Sequence, residues 1–204
     1  MRTVSTYKIA GYKTATKFVR NLCTARNTWI IWTKSASRVH FITLNQSSRL
    51  EWAVENGVTT GTSATTFSPD ATCTTGQIIT FLWRANGSPS VSGVTPFDDV
   101  SSSDYYYQAA LWAKEEGLVS GSAFQGNTPC TRAATVTYLW KLADQPSVGT
   151  SNFTDVPNNA DYAQAVAWAV QEGITSGTGN NAFSPNAICT RGQIVTFIYR
   201  DMVG

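Results

Sequence analysis

The chain is poor in the residues that most catalytic centres need. It has one histidine in 204 residues, His40, which leaves a Ser-His-Asp or Cys-His arrangement little to draw on. Its four cysteines include no C-x-x-C pair, so no metal site is expected from spacing. Phosphate loops and dinucleotide fingerprints are missing, and no cofactor is expected. The adjacent acids Asp98-Asp99 and Glu115-Glu116 diverge, unlike a glycosidase pair facing across a cleft. No apolar run reaches the 18 residues of a membrane-spanning helix. Charged residues make up only 14%, but 12% aromatic and 42% hydrophobic content argue against disorder. The length suits one medium domain or a few small modules.

Acid is also absent from the first 50 residues, which hold nine Lys/Arg and no Asp or Glu. Residues 51–204 hold the other six cations and all 13 acids, a net −7. This break marks residues 1–48 as an atypical basic segment: a linker, a disordered stretch or a mis-set frame. It makes a poor secretory signal, because charges recur every few residues and the apolar run Trp29-Ile30-Ile31-Trp32 is too short. The acidic remainder would repel nucleic-acid phosphates.

What is present is a repeat. Glu51-Trp52-Ala53-Val54-Glu55-Asn56-Gly57-Val58, Leu111-Trp112-Ala113-Lys114-Glu115-Glu116-Gly117-Leu118 and Ala167-Trp168-Ala169-Val170-Gln171-Glu172-Gly173-Ile174 align, with tryptophans 60 and 56 residues apart. A second anchor follows in each copy: Cys73-Thr74-Thr75-Gly76-Gln77, Cys130-Thr131-Arg132-Ala133-Ala134 and Cys189-Thr190-Arg191-Gly192-Gln193, spaced 57 and 59 residues. Copies two and three open with a third, Phe97-Asp98-Asp99-Val100 and Phe153-Thr154-Asp155-Val156. Three anchors in fixed order indicate supersecondary units that bury their apolar faces against each other. The boundaries expected are 49–90 for an incomplete first copy, 94–146 for the second and 150–204 for the third.

Each copy reads helix, loop, helix. Apolar positions at helical spacing predict helices over 105–116 and 161–172, ended by Gly117 and Gly173 at left-handed C-caps. Threonines 74, 131 and 190 open the second helix as N-caps. Gln77 and Gln193 complete capping boxes; Ala134 cannot. Arg84, Lys141 and Arg200 suit the negative end of the dipole.

Together these anchors resemble the S-layer homology family, whose pattern is Phe-x-Asp-Val, a Trp-bearing helix, a Gly-Ile/Leu turn, a Gly…Phe-x-Pro loop and a helix opening Thr-Arg-Ala-Glu. Copy three matches best, with Phe153-Thr154-Asp155-Val156, Trp168, Gly173-Ile174, Gly177, Phe183-Ser184-Pro185 and Thr190-Arg191-Gly192-Gln193. Copy one keeps Phe67-Ser68-Pro69, but residues 35–48 resemble nothing in the family. The resemblance covers about residues 49–204. It implies a mainly α fold: three helix-loop-helix repeats in a pseudo-threefold domain around a central three-helix bundle, with grooves between lobes. It also implies an extracellular, non-catalytic module that anchors proteins to the bacterial cell wall or S-layer by binding pyruvylated secondary cell-wall polymer. The rival reading is a structural or protein–protein module of the same fold without glycan binding.

A pyruvyl ketal carries a carboxylate. Arg132 and Arg191, each at a first helical position, could grip it with their planar forks beside exposed helix amides. Alternatively, each pairs with Asp99 or Asp155. Thr75 replaces the arginine in copy one, so that groove should lose its cation. The glycan-binding set expected is Arg132, Arg191, Asp99, Asp155, Trp112, Trp168, Gly121 and Gly177. For Trp112 and Trp168 core packing is the competing role; Asp99 and Asp155 could instead cap a segment; Gly121 and Gly177 could serve tight turns. Cys73, Cys130 and Cys189 read as small buried apolar groups.

Overall fold

Six helices, two per repeat, order the 157 residues that a computed structural model describes, 47–63 and 65–204. The expectations for residues 1–46, His40 included, lie outside the described residues. The first helices are α1 (Ser47–Glu55), α3 (Tyr107–Glu115) and α5 (Ala163–Gln171); the second helices are α2 (Thr75–Ala85), α4 (Arg132–Leu142) and α6 (Arg191–Val203). There are isolated bridges but no strands among the described residues. The fold is mainly α.

Local chemistry explains the helix ends. Thr74, Thr131 and Thr190 accept the amides of Gln77, Ala134 and Gln193 at 3.4, 3.1 and 3.4 Å. Gln77 and Gln193 reach back to the N-cap amides, both at 3.1 Å, which closes two capping boxes. Helices α3 and α5 start two residues later than the periodicity suggests. Single turns, Tyr107 N–H to Asp104 O and Ala163 N–H to Ala160 O, precede them. Gly117 and Gly173 take φ of 67° and 71° just past the helices. Leu118 N–H then reaches back to Ala113 O at 2.8 Å, the six-to-one bond of a Schellman stop.

The repeats close into a ring. The second helix of each copy packs on the first helix of the next: α2 on α3, α4 on α5, and α6 back on α1. Trp52 of α1 and Tyr199 of α6 seal the last pair edge-to-face, ring centroids 5.3 Å apart. Helix α6 also packs on α2 and α4, forming the central bundle. Its core includes Ile78, Ile79, Leu82, Val136, Leu139, Ile194, Val195 and Ile198, all fully buried.

The three equivalent cysteines surround the pseudo-threefold axis. Cys73 N–H donates to Cys189 O, Cys130 N–H to Cys73 O and Cys189 N–H to Cys130 O, at 3.0, 2.9 and 2.9 Å. From sequence these thiols read as small buried apolar groups. They are buried as expected, but they are brought together, because each precedes an N-cap that converges on the axis. The Thr135 hydroxyl, where the other copies have isoleucine, lies 3.7 Å from Cys130 Sγ and 3.5 Å from Cys189 Sγ. No group of three potential ligands among the described residues is arranged to hold a metal ion. Burial pushes the Cys73 and Cys130 thiols up to about 12, and thiolate is the reactive form. Alkylation of Cys73, Cys130 and Cys189 in the native protein should therefore be at least ~10³-fold slower than in denaturant, since it must await opening of the core. Peptide mapping after timed iodoacetamide labelling checks this; fast native labelling of any of the three contradicts the buried ring.

Candidate functional site

Where the second helix of one repeat meets the loop of the next, the three copies form three seams of common design. First-turn amides of each second helix donate to carbonyls of the neighbouring loop: Thr75 and Gly76 to Thr128 and Gly126, Arg132 and Ala133 to Ala187 and Pro185, Arg191 and Gly192 to Ala71 and Pro69, all at 2.8–3.0 Å. The third amide goes to the threonine cap. The helix starts that the sequence offered as exposed anion donors are thus occupied, and an anion at these seams would be held by side chains.

Two seams contain an arginine. Arg132 is only 5% exposed and Arg191 only 4%. Arg132 Nε donates to Phe183 O at 2.9 Å and Nη2 reaches Thr175 Oγ1 at 3.4 Å. Its guanidinium lies over Phe183 at 4.8 Å and Phe197 at 5.4 Å. Arg191 repeats this with Phe67 O at 3.0 Å, Thr59 Oγ1 at 3.4 Å, and the Phe67 and Phe81 rings at 4.8 and 5.2 Å. Burial pulls both guanidinium groups below their ordinary value, but not enough to discharge an arginine at neutral pH. Neither forms an ion pair with a carboxylate among the described residues. Nη1 of each has no acceptor there.

The first seam is built differently. Thr75 stands at the arginine position and donates to Thr128 O at 3.2 Å. Val119 replaces the threonine and Gly126 the proline found in the other two copies. Tyr106 fills the vacated space, its ring 5.4 Å from Phe124. A Cβ on Gly76 or Gly126 would come within 2.6 Å of the tyrosine ring. The seam is closed by an aromatic ring instead of a cation.

The other expected residues sit near these seams in supporting positions. Asp99 accepts the Phe124 and Gln125 amides, both at 2.7 Å. Asp155 accepts the Phe183 and Ser184 amides at 2.8 and 2.7 Å. Pairing with the arginines, the alternative raised from sequence, does not occur; each carboxylate instead holds the loop that presents the seam phenylalanine. Trp112 and Trp168 are buried in the core. Gly121 and Gly177 both have φ of 84°, but their surroundings differ. A Cβ at Gly121 meets nothing within 4 Å, whereas at Gly177 it would come within 2.6 Å of Ala182 O and of the Phe153 ring. Gly121→Ala should cost about 1–2 kcal/mol, the left-handed penalty alone. Gly177→Ala should cost a further ~1–3 kcal/mol from overpacking. Urea denaturation of the two variants measures the difference.

Several participants were not foreseen. Phe67 and Phe183 supply the rings under the guanidinium groups, and Thr59 and Thr175 receive the Nη2 atoms. Their signal was available: threonine follows the Gly-Val/Ile turn only in the copies whose preceding second helix carries arginine. Another is Arg200, whose Nη1 donates to Ile174 O at 2.8 Å. With Asn152, Phe153, Thr175 and Asn181 it lines a groove of about 520 Å³. That groove adjoins the Arg132 seam through Thr175.

A ring of three helix-loop-helix lobes joined by seams, two of them holding buried arginine, defines the class of molecule. The chain belongs to the S-layer homology domain family, which it matches over residues 47–78, 96–135 and 152–195. It is similar to an amylopullulanase of Thermoanaerobacterium thermosulfurigenes, 24% identical over 74% of this chain and 8% of that protein. It is also similar to the exoglucanase XynX of Acetivibrio thermocellus, 23% identical over 74% of this chain and 15% of that protein. A cell surface protein of Thermoanaerobacter kivui is 28% identical over 53% of this chain and 16% of its own length. The chain spans well under a fifth of each of these relatives. Among the described residues no helix is long and apolar enough to cross a membrane.

Proposed function

We propose that this chain is a non-catalytic anchoring module that holds its host protein at the bacterial cell surface by binding an acidic secondary cell-wall polysaccharide, pyruvylated on its sugars. Arg132 and Arg191 receive the ketal carboxylate, and the groove lined by Arg200 accommodates adjoining sugar. The observation that carries this reading is the pair of seam arginines, each charged, without a carboxylate partner and with Nη1 unclaimed among the described residues. The relatives support it indirectly. Two are named as polysaccharide-degrading enzymes and one as a cell surface protein, and the shared stretch is a small part of each, as an accessory module would be. Asp99 and Asp155 act through the loops they brace, Trp112 and Trp168 by packing, and Gly121 and Gly177 by turn geometry.

A second reading has its own support. Each guanidinium is deeply buried, already hydrogen-bonded and stacked between two rings, which suits a seam built only for stability. Sedimentation of the protein with Gram-positive sacculi, before and after mild acid removal of pyruvate ketals, separates the two. Pull-down should fall at least ~10-fold after acid treatment and in the Arg132→Gln/Arg191→Gln variant, the equivalent of about 1.4 kcal/mol, while circular dichroism confirms that the variant stays folded. Acid-insensitive pull-down would remove the ketal from the proposal. No pull-down by the folded parent would favour the structural module.

A further inference from the structure

The second and third lobes share a contact that the first lobe lacks among the described residues. In the second lobe Phe97 packs on Phe124, centroids 5.4 Å apart, and Asp99 takes the Phe124 and Gln125 amides. In the third lobe Phe153 packs on Phe183 at 5.8 Å, and Asp155 takes the Phe183 and Ser184 amides. Backbone pairing fixes the register of both segments, Asp98 N–H to Ser122 O and Thr154 N–H to Asn181 O.

Among the described residues the first lobe has the matching loop without the segment. Its two ends match those of the third-lobe loop. Thr62 N–H donates to Thr66 O at 2.7 Å, as Thr178 N–H does to Ala182 O at 2.8 Å. Thr62 and Ser68 hydroxyls meet at 2.8 Å, as do those of Thr178 and Ser184. Ser68 and Ser184 share left-handed φ values of 56° and 60°. Yet the Phe67 and Ser68 amides have no acceptor among the described residues. Phe67 is half-buried, whereas Phe124 and Phe183 are fully buried. The ring that crowds Gly177, that of Phe153, has no counterpart beside Gly61 among the described residues.

We propose that the Phe67 loop binds an extended Phe-x-Asp-Val segment of a partner protein. The phenyl ring stacks on Phe67 and the aspartate accepts the Phe67 and Ser68 amides, completing the first lobe in trans. The 50 residues at the start of this chain contain no acid, so they cannot supply that carboxylate. The chain's own two aspartates of this kind are committed to their own loops. The receptor is formed before the segment arrives, so little ordering of the loop opposes binding. Binding also reaches the Arg191 seam, because Arg191 bonds Phe67 O and stacks on its ring.

The test is amide NMR of the full chain with a synthetic peptide copying residues 150–160, at up to millimolar concentration. The expected result is movement of the Phe67 and Ser68 amide signals and at least ~10-fold slower hydrogen exchange at both. A peptide carrying Asp155→Asn should bind at least ~10-fold more weakly. Three results overturn the proposal: no change at Phe67 and Ser68, equal binding of the Asn peptide, or slow exchange at both amides in the peptide-free chain. The last would mean that the chain already covers this loop itself.

Discussion

Phe183→Ala is expected to destabilise the protein by about 3–5 kcal/mol, the range for deleting a fully buried phenyl ring. Phe183 is completely buried. Its ring meets Phe153 at 5.8 Å within its own lobe and carries the Arg132 guanidinium of the preceding repeat at 4.8 Å. Its carbonyl accepts Arg132 Nε and its amide donates to Asp155. Truncation therefore leaves the backbone bonds in place and removes only packing and the cation–π platform. Phe67→Ala should cost roughly half as much, because Phe67 is only half-buried and lacks a partner ring from its own repeat among the described residues. Urea unfolding of the two variants gives the comparison, and equal losses would contradict the asymmetry between the first and third lobes. A double-mutant cycle with Arg132→Met should give a coupling of about 0.5–2 kcal/mol for the buried guanidinium–ring contact.

Within each repeat the sequence was legible because local rules decide the outcome. A threonine followed three residues later by glutamine forms a capping box wherever it lies, and a glycine after an amphipathic helix stops it. Both formed, and Ala134 removed the box from α4 as its chemistry requires. Between repeats legibility fell. The bonds of Arg132 to Phe183 and Thr175 span 51 and 43 residues, and those of Arg191 to Phe67 and Thr59 span 124 and 132. No local pattern states which carbonyl will accept a helix amide that far away, so the occupied first-turn amides were missed. They follow once the repeats close into a ring, since closure places every N-cap against the next loop. The first seam could have been read as a set of matched changes. Thr75, Val119 and Gly126 depart together from the pattern of the other two copies, and Tyr106 occupies the space they leave.

Asp155→Ala is expected to cost about 2–4 kcal/mol, because it strands two amides that now donate to a charged acceptor. The half-buried position allows water to reach them in part, which keeps the loss below that of Phe183→Ala. Asp155→Asn should lose less, since its carbonyl can still accept one amide while its NH₂ faces the other. The same bonds give a pH dependence. Burial alone would raise the Asp155 pKa, but the Phe183 and Ser184 amides outweigh it and hold the group below its ordinary 3.8. For Asp99 the Phe124 and Gln125 amides lead directly to the same lowering. A carboxylate with a depressed folded pKa contributes stability that is complete above its unfolded value and disappears as pH falls through the folded one. The contribution of Asp99 and Asp155 to parent stability should therefore hold from neutrality to about pH 5 and decline below about pH 4. The Asp155→Ala variant should show a shallower acid decline, because one of the groups that drives it is gone. Urea midpoints at pH 7, 5, 4 and 3 measure both slopes. An unchanged slope in the variant would mean that Asp155 does not carry the loop bonds seen here, and that the third lobe holds Phe183 against Arg132 by packing alone.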